Sequence, residues 1–378
     1  MKRSFDAAAR GARRPPEDVG GTVVEVGTNP AYEVSVGPGV LADVAGFVGG
    51  AGARVAVLAD ARVAELHAHR LAGLERAPRL DVPPGEGSKS LARLGAVLDF
   101  LAEAELDRSS CLVTLGGGVP GDLGGLAASL FKRGIAVVHA PTTLLAMVDA
   151  SVGGKTAINL AAGKNLAGTF HQPRAVFADT ETLATLPEDE LRSGFGEVVK
   201  AALVEGEPLL ALVEESAGAL VARDPDALER VVAACVRAKA RVVADDPHER
   251  GPRRALNLGH TFAHGIERTA GYGAVPHGVA VAAGIGLALA AARALGILAD
   301  DTLADRTGRL LEALGLPRDL TALRASSGLA LPAADVARAM GHDKKGRVGA
   351  PELVLPARAG AIELGVPVEP AMLTRLLA

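Results

Sequence analysis

The chain has 378 residues, 49% of them apolar, no tryptophan and a formal charge of −4. That length exceeds one ordinary core and predicts two domains, with cores built from Ala, Val, Leu and Gly because aromatic residues are scarce. The mild negative charge excludes a general binder of nucleic acid or other polyanions, so Lys and Arg are read locally, as clamps on small anions.

Residues 1–20 carry no apolar signal-peptide core and read as a disordered tail. From about residue 22 to 180, short apolar runs alternate with helical spacing. The runs 53–60, 110–118, 135–141 and 175–179 predict buried parallel strands, and 91–106 and 123–132 predict helices. This is the pattern of a doubly wound α/β domain over 21–182.

Its loops carry candidate ligands. Asp60 ends one strand, where it accepts hydrogen bonds from a ribose or caps a helix. Glu86 and Lys89 in GEGSKS stand in a turn before a helix, as ligands or as a solvated cap. GGGVPGD (116–122) follows a strong strand and opens a helix. Gly116, Gly117 and Gly118 let backbone N–H groups approach a phosphate, with Asp122 close by, or they simply make a tight turn. The GxGxxG fingerprint is absent, so a standard Rossmann site is not indicated. Thr142 and Thr143 follow the next strand, to bind a cofactor or cap a helix. DASVGGKTAINLAAGKN (149–165) lacks the spacing of a P-loop. Its Asp149, Lys155, Lys164 and Asn165 suit a phosphorylated, hydroxylated small molecule or an exposed basic loop.

After about residue 185 the strand signal stops. Helical spacing covers 188–204, 208–221, 225–243, 260–270, 277–295 and 302–314, which predicts a mostly helical second domain over 183–378. The run Gly278–Leu298 is apolar enough to resemble a membrane span, but its Gly and Ala content and its Arg293 favour a buried core helix. Cys111 and Cys235 lie far apart in apolar stretches and read as free thiols of a reducing cytosol.

Three of only nine histidines, His260, His264 and His277, fall within eighteen residues. His260 and His264 are i,i+4 and share a helix face. With Glu197 of GFGEVVK they make a carboxylate–imidazole set suited to Zn²⁺ or a similar ion. Lys200 pairs with Glu197 or joins that site. Lys239, Glu249, Arg253 and Asn257 lead into the cluster, and Arg253 suits a carboxylate or phosphate. Lys344 and Lys345 in HDKKGRVG form a surface hairpin, or close over an anionic substrate.

Taken together, GGGVPGDL, FKRG, PTTLLAMVDASVGGKT, GKNLAG, GEVVK and RALNLGHTFAHGIE make the chain resemble the 3-dehydroquinate synthases of the sugar-phosphate cyclase superfamily, from about Val55 to Gly349. The resemblance implies an N-terminal NAD-binding α/β domain and a C-terminal helical metal-binding domain. It implies Zn²⁺ or Co²⁺ on Glu197, His260 and His277. NAD contacts would come from Asp60, Glu86, Lys89, Gly116 to Gly118, Asp122, Thr142, Thr143, Lys164 and Thr182. Substrate contacts would come from Asp149, Lys155, Asn165, Lys200, Lys239, Arg253, Asn257 and His264, with Glu249 as a proton acceptor. Arg133 would reach the neighbouring site of a homodimer. The implied substrate is 3-deoxy-D-arabino-heptulosonate 7-phosphate, handled by a cytoplasmic enzyme with no nucleic-acid or membrane partner. Arg62, Pro247 and Val279 depart from the usual pattern, as does the Ala263/Gly265 order around His264. These keep open an aminodehydroquinate synthase or another specialised cyclase. A polyol dehydrogenase of the same two-domain plan and a non-catalytic NAD-binding paralogue compete with the cyclase reading.

Overall fold

The computed structural model describes residues 3–6, 21–49, 53–341 and 351–378. Lys344 and Lys345 lie outside the described residues. In chain order the strands are β1 (Arg3–Asp6), β2 (Thr22–Val26), β3 (Tyr32–Gly37), β4 (Val55–Asp60), β5 (Arg79–Val82), β6 (Cys111–Gly116), β7 (Ala136–Pro141), β8 (Lys155–Leu160), β9 (Gly163–Phe170), β10 (Ala175–Asp179), β11 (Glu352–Arg358) and β12 (Ala361–Pro367). The α-helices are α1 (Val44–Val48), α2 (Ala61–His67), α3 (Leu91–Glu103), α4 (Gly118–Leu130), α5 (Glu188–Glu205), α6 (Glu207–Val221), α7 (Pro225–Asp245), α8 (His260–Ala270), α9 (His277–Ala294), α10 (Thr302–Ala313), α11 (Leu320–Ser327), α12 (Ala333–Gly341) and α13 (Pro370–Leu377).

Two compact units result. The α/β unit runs to Pro187 and also takes in Leu228–His248; the helical unit comprises Glu188–Ala227 and Glu249–Ala378, together with β1. In the α/β unit a seven-stranded sheet has the order β2-β3-β10-β7-β6-β4-β5. Its neighbours run parallel, except for the antiparallel pair β2–β3. Alternation along the strands builds a core on each face. Leu58, Leu112 and Val137 pack with α3 and α4 residues such as Val97, Leu101 and Leu123, whereas Val57, Val113, Leu115 and Val138 pack with Leu41, Val44 and Phe177. Burial on both faces is why these strands read as unbroken apolar runs.

The structure revises several expectations. Residues 3–6 are not part of a disordered tail: β1 pairs antiparallel with β12, and β11 completes a three-stranded sheet. β1 is only four residues long and β11 carries Pro356, so neither read as a strand, and the alternation of Ile362 and Leu364 in β12 was too short to stand out. The 155–165 segment is not a loop but the first part of an antiparallel hairpin, β8–β9. Most of α7, expected in the helical half, clusters with the α/β unit. Its Ala244 methyl lies 3.6 Å from where a Cβ on Gly27 would stand, and His248 meets Phe170 edge to face with ring centroids 5.2 Å apart. Helical periodicity shows that a helix has a buried face without showing which core receives it.

Helix α9 is, among the described residues, the one helix long and apolar enough to cross a membrane. Ala280, Val281, Ala282, Ala283, Ile285 and Ala288 along it are fully buried in the protein, as expected of a core helix. Cys111 and Cys235 are buried free thiols, and burial pushes the Cys111 thiol up to about 12.

Candidate metal and cofactor sites

Within the helical unit, glycines set how closely α9 meets its neighbours. A Cβ on Gly278 would stand 1.7 Å from the Ser193 carbonyl oxygen of α5, and one on Gly196 would stand 2.0 Å from the Gly278 oxygen. A Cβ on Gly284 would lie 2.2 Å from the oxygen of Gly259, the residue that precedes α8. These are backbone-on-backbone contacts, so no side-chain rotation relieves them. The close approach brings Glu197, next to Gly196, to His277, the first residue of α9, and to His260, the first residue of α8.

Glu197, His260 and His277 each offer one ligand atom within 4.8 Å of the other two. Glu197 is 1% exposed, and its Oε1 lies 3.7 Å from His260 Nε2 and 3.6 Å from His277 Nε2. Lys200 Nζ makes a close ion pair with Oε2, although neither carboxylate oxygen has a hydrogen bond of normal geometry. A buried carboxylate oxygen that faces two imidazole nitrogens without a hydrogen-bond donor fits a cation. The rings are turned to suit one. His277 Nδ1 lies 3.1 Å from Glu267 Oε2, and His260 Nδ1 lies 3.3 Å from the Leu258 carbonyl oxygen, which directs each Nε2 to Glu197. His264 flanks this trio, its ring stacked on His277 with centroids 6.3 Å apart.

Beside the trio in sequence, Pro252–Asn257 forms a 3-10 turn that carries Arg253 and Asn257. Arg253 is 1% exposed, the largest fully buried side chain among the described residues. Asn257 donates to Glu249 Oε1 at 2.6 Å, so the expected proton acceptor is held by a neutral amide.

In the α/β unit the chain passes from β4 to β5 on one side and, after α3, to β6 on the other. The crevice beyond the carboxyl ends of β4 and β6 is therefore a topological switch point, where such sheets bind ligands. Asp60 and the glycine run meet there. Gly116 has φ 144°, and a Cβ on it would lie 2.6 Å from Pro120 Cγ and 3.1 Å from Asp60 Cβ. α4 starts at Gly118 with no side-chain cap. Its first N–H groups and dipole thus suit a phosphate. The crevice is lined by Gly116 to Gly118, Gly121, Asp122, Ala150 and Ser151 among others. Asp60 Oδ1 caps α2 through the N–H groups of Arg62 and Val63.

Lys89 is buried rather than a solvated cap. Its Nζ donates to Asp122 Oδ2 at 2.6 Å and to Asn165 Oδ1 at 2.5 Å. Asn165 in turn donates its backbone N–H to Asn159 Oδ1, and Asn159 Nδ2 donates to Glu86 Oε2 at 2.8 Å. One network thus joins Glu86, Lys89, Asp122 and Asn165. Lys239 forms a close ion pair with Asp149, which joins α7 to the turn after β7. Thr142 has a buried hydroxyl with no hydrogen-bond partner, whereas the Thr143 hydroxyl caps the Ala146 N–H. Thr182 donates to the Asp179 carbonyl oxygen within a turn. Lys155 and Arg133 are exposed and Lys164 is half-buried.

Sequence reasoning missed Glu267 and Asn159. Glu267 lies seven residues after His260, two turns along the same face of α8, and that spacing was the available signal. Asn159 had none, because its role comes from hairpin pairing.

Solved structures share this architecture. A crystal structure of 2-deoxy-scyllo-inosose synthase, complexed with carbaglucose-6-phosphate, NAD+ and Co2+, superposes with a TM-score of 0.82 at 25% identity, covering 94% of this chain and 99% of that one. The 2-epi-5-epi-valiolone synthase of Streptomyces hygroscopicus subsp. jinggangensis, with NAD+ and Zn2+ bound, superposes with a TM-score of 0.77 at 27% identity, covering 97% and 98%. The fold is therefore the dehydroquinate synthase-like class. Sequence profiles narrow the class: 3-dehydroquinate synthase N-terminal matches residues 79–193, and 3-dehydroquinate synthase C-terminal matches residues 194–346. The 3-dehydroquinate synthase of Acidithiobacillus ferrooxidans is 42% identical over 353 residues, 92% of this chain and 94% of its relative. The chain belongs to the 3-dehydroquinate synthase family.

Proposed function

We propose that the protein converts 3-deoxy-D-arabino-heptulosonate 7-phosphate to 3-dehydroquinate and phosphate, as a cytoplasmic phosphate lyase of the shikimate pathway. The reaction class is transient oxidation at C5, β-elimination of phosphate, reduction and intramolecular aldol closure. A divalent ion, Zn²⁺ or Co²⁺, supplies Lewis acidity and NAD+ supplies reversible hydride acceptance when bound. Glu197, His260 and His277 hold the ion. The observation that carries the reading is the buried Glu197 carboxylate facing two imidazole nitrogens, in a chain that keeps both VGGK and GKN.

The other residues bind and orient. Gly116 to Gly118 and the α4 N-terminus take the cofactor's phosphates, with Asp60, Glu86, Lys89, Asp122, Thr142, Thr143, Lys164 and Thr182 around them. Lys155, Arg253, Asn257 and His264 grip the substrate's phosphate and carboxylate, where Arg253 offers a bidentate fork. Lys200 and Lys239, each already beside a carboxylate, orient hydroxyls with Asp149 and Asn165. Glu249 accepts a proton. Arg133 completes the neighbouring site in a homodimer.

The amino analogue of the substrate is the second reading, favoured by Val279 two residues after His277. Incubation of the purified protein with NAD+, Co²⁺ and each substrate, followed by product mass, decides between them. The expected result is 3-dehydroquinate with release of phosphate. Phosphate release from the amino analogue alone would move the assignment to aminodehydroquinate. No phosphate from either, with NAD+ still bound, would leave a non-catalytic paralogue.

A further inference from the structure

Glu267 is 2% exposed, and its Oε2 lies 3.1 Å from His277 Nδ1. It stands on α8, seven residues after His260, while His277 opens α9. α8 therefore supplies one donor of the trio directly and touches the back of another. We infer that Glu267 is a positioning residue for the metal: it accepts the Nδ1 proton of His277, which fixes the tautomer that leaves a lone pair on Nε2 and aims that atom at the ion. The inference rests on the proposed metal site.

Three physical points support it. A neutral imidazole carries one N–H, and the partner at one nitrogen decides which nitrogen can bind a metal. A carboxylate held out of water costs free energy unless it is matched, and an imidazole on a divalent cation becomes a stronger donor and a better match. The His277 side chain is 33% exposed, so burial alone does not fix its ring. By contrast His260 is 13% exposed, and a backbone carbonyl suffices for its Nδ1.

The test measures Co²⁺ and Zn²⁺ affinity of the full-length protein by chelator competition, together with the Co²⁺ absorption spectrum, for the parent, Glu267→Ala and Glu267→Gln. Loss of such an outer carboxylate weakens metal binding by ~10–100-fold, and Glu267→Ala is expected in that range. Glu267→Gln keeps an acceptor for Nδ1–H but loses the charge, so it should weaken binding several-fold and shift the Co²⁺ bands. Thermal unfolding of the metal-free proteins separates this from general damage. In a His277→Ala background, Glu267→Gln should change the residual affinity no further. Parental affinity and parental Co²⁺ bands in a folded Glu267→Ala or Glu267→Gln protein would overturn the inference. His260→Ala keeps the two failures apart. If it loses metal while both Glu267 variants do not, the inference alone falls; if the parent binds no metal, the site assignment falls with it.

Discussion

At Glu197 one carboxylate has three neighbours to satisfy. Lys200 takes Oε2, and Oε1 is left facing His260 and His277 from within the core. A buried charge half-paired in this way is costly unless a cation completes it. His260→Ala should therefore lower metal affinity by more than the ~10–100-fold that loss of an outer partner costs, and should abolish turnover; metal analysis of the dialysed protein checks this. Full metal occupancy in that variant would remove His260 from the ligand set. His139 illustrates a different residue-scale effect. Burial holds its imidazole down at about 4, with Nδ1 bonded to the Thr114 hydroxyl at 2.8 Å. Its unfolded value is 6.5, so between pH 6.5 and about 4 the unfolded chain binds the extra proton. Stability is then lost as pH falls through that window, on the order of 3 kcal/mol for this group alone. Urea denaturation of the apo protein at pH 7 and pH 4.5 should show a shallower pH dependence in His139→Asn. The same slope in both proteins would assign the acid sensitivity to other groups.

Helix α9 shows how an element can be placed by what it lacks. Its glycines let α5 and the start of α8 approach to backbone contact, and Glu197, His260 and His277 lie beside those contacts. Gly278→Ala would put a methyl group 1.7 Å from the Ser193 oxygen, so α5 and α9 must part. We expect a loss of about 3 kcal/mol or more of stability, with weaker metal binding in whatever fraction folds. Chemical denaturation and metal titration of the same samples measure both, and an unperturbed variant would show that the helices have slack. The sequence made α9 legible as a helix and its Gly-Ala content made tight packing legible. It could not show that Gly196 and Gly278 face each other, because that is a tertiary coincidence of two helices far apart in the chain. The β8–β9 hairpin was hidden for a related reason. Its Gly, Lys and Asn are poor strand formers, and cross-strand pairing overrides that preference.

For the whole molecule, the doubly wound sheet and the helical second half were readable from periodicity, and the motif order identified the family. The site residues were legible as residue types but only partly as geometry. Lys89 looked like a surface cap and is a buried hub between Asp122 and Asn165, since burial depends on where β9 lies. Assembly belongs at this scale as well. If Arg133 serves the neighbouring subunit, Arg133→Ala mixed with a His260→Ala subunit should regain part of the activity that each homodimer lacks. No regain on mixing, with subunit exchange verified by mass, would confine each site to one chain.

The proposed closed redox cycle, at a metal held by Glu197, His260 and His277, has a stoichiometric signature. Phosphate and NADH are followed together in one reaction with 3-deoxy-D-arabino-heptulosonate 7-phosphate, before and after chelation. The cycle requires one phosphate released per substrate with no net NADH, arrest on removal of the metal, and recovery when Co²⁺ or Zn²⁺ is restored. NADH accumulating in step with turnover, or phosphate release indifferent to the chelator, would contradict it.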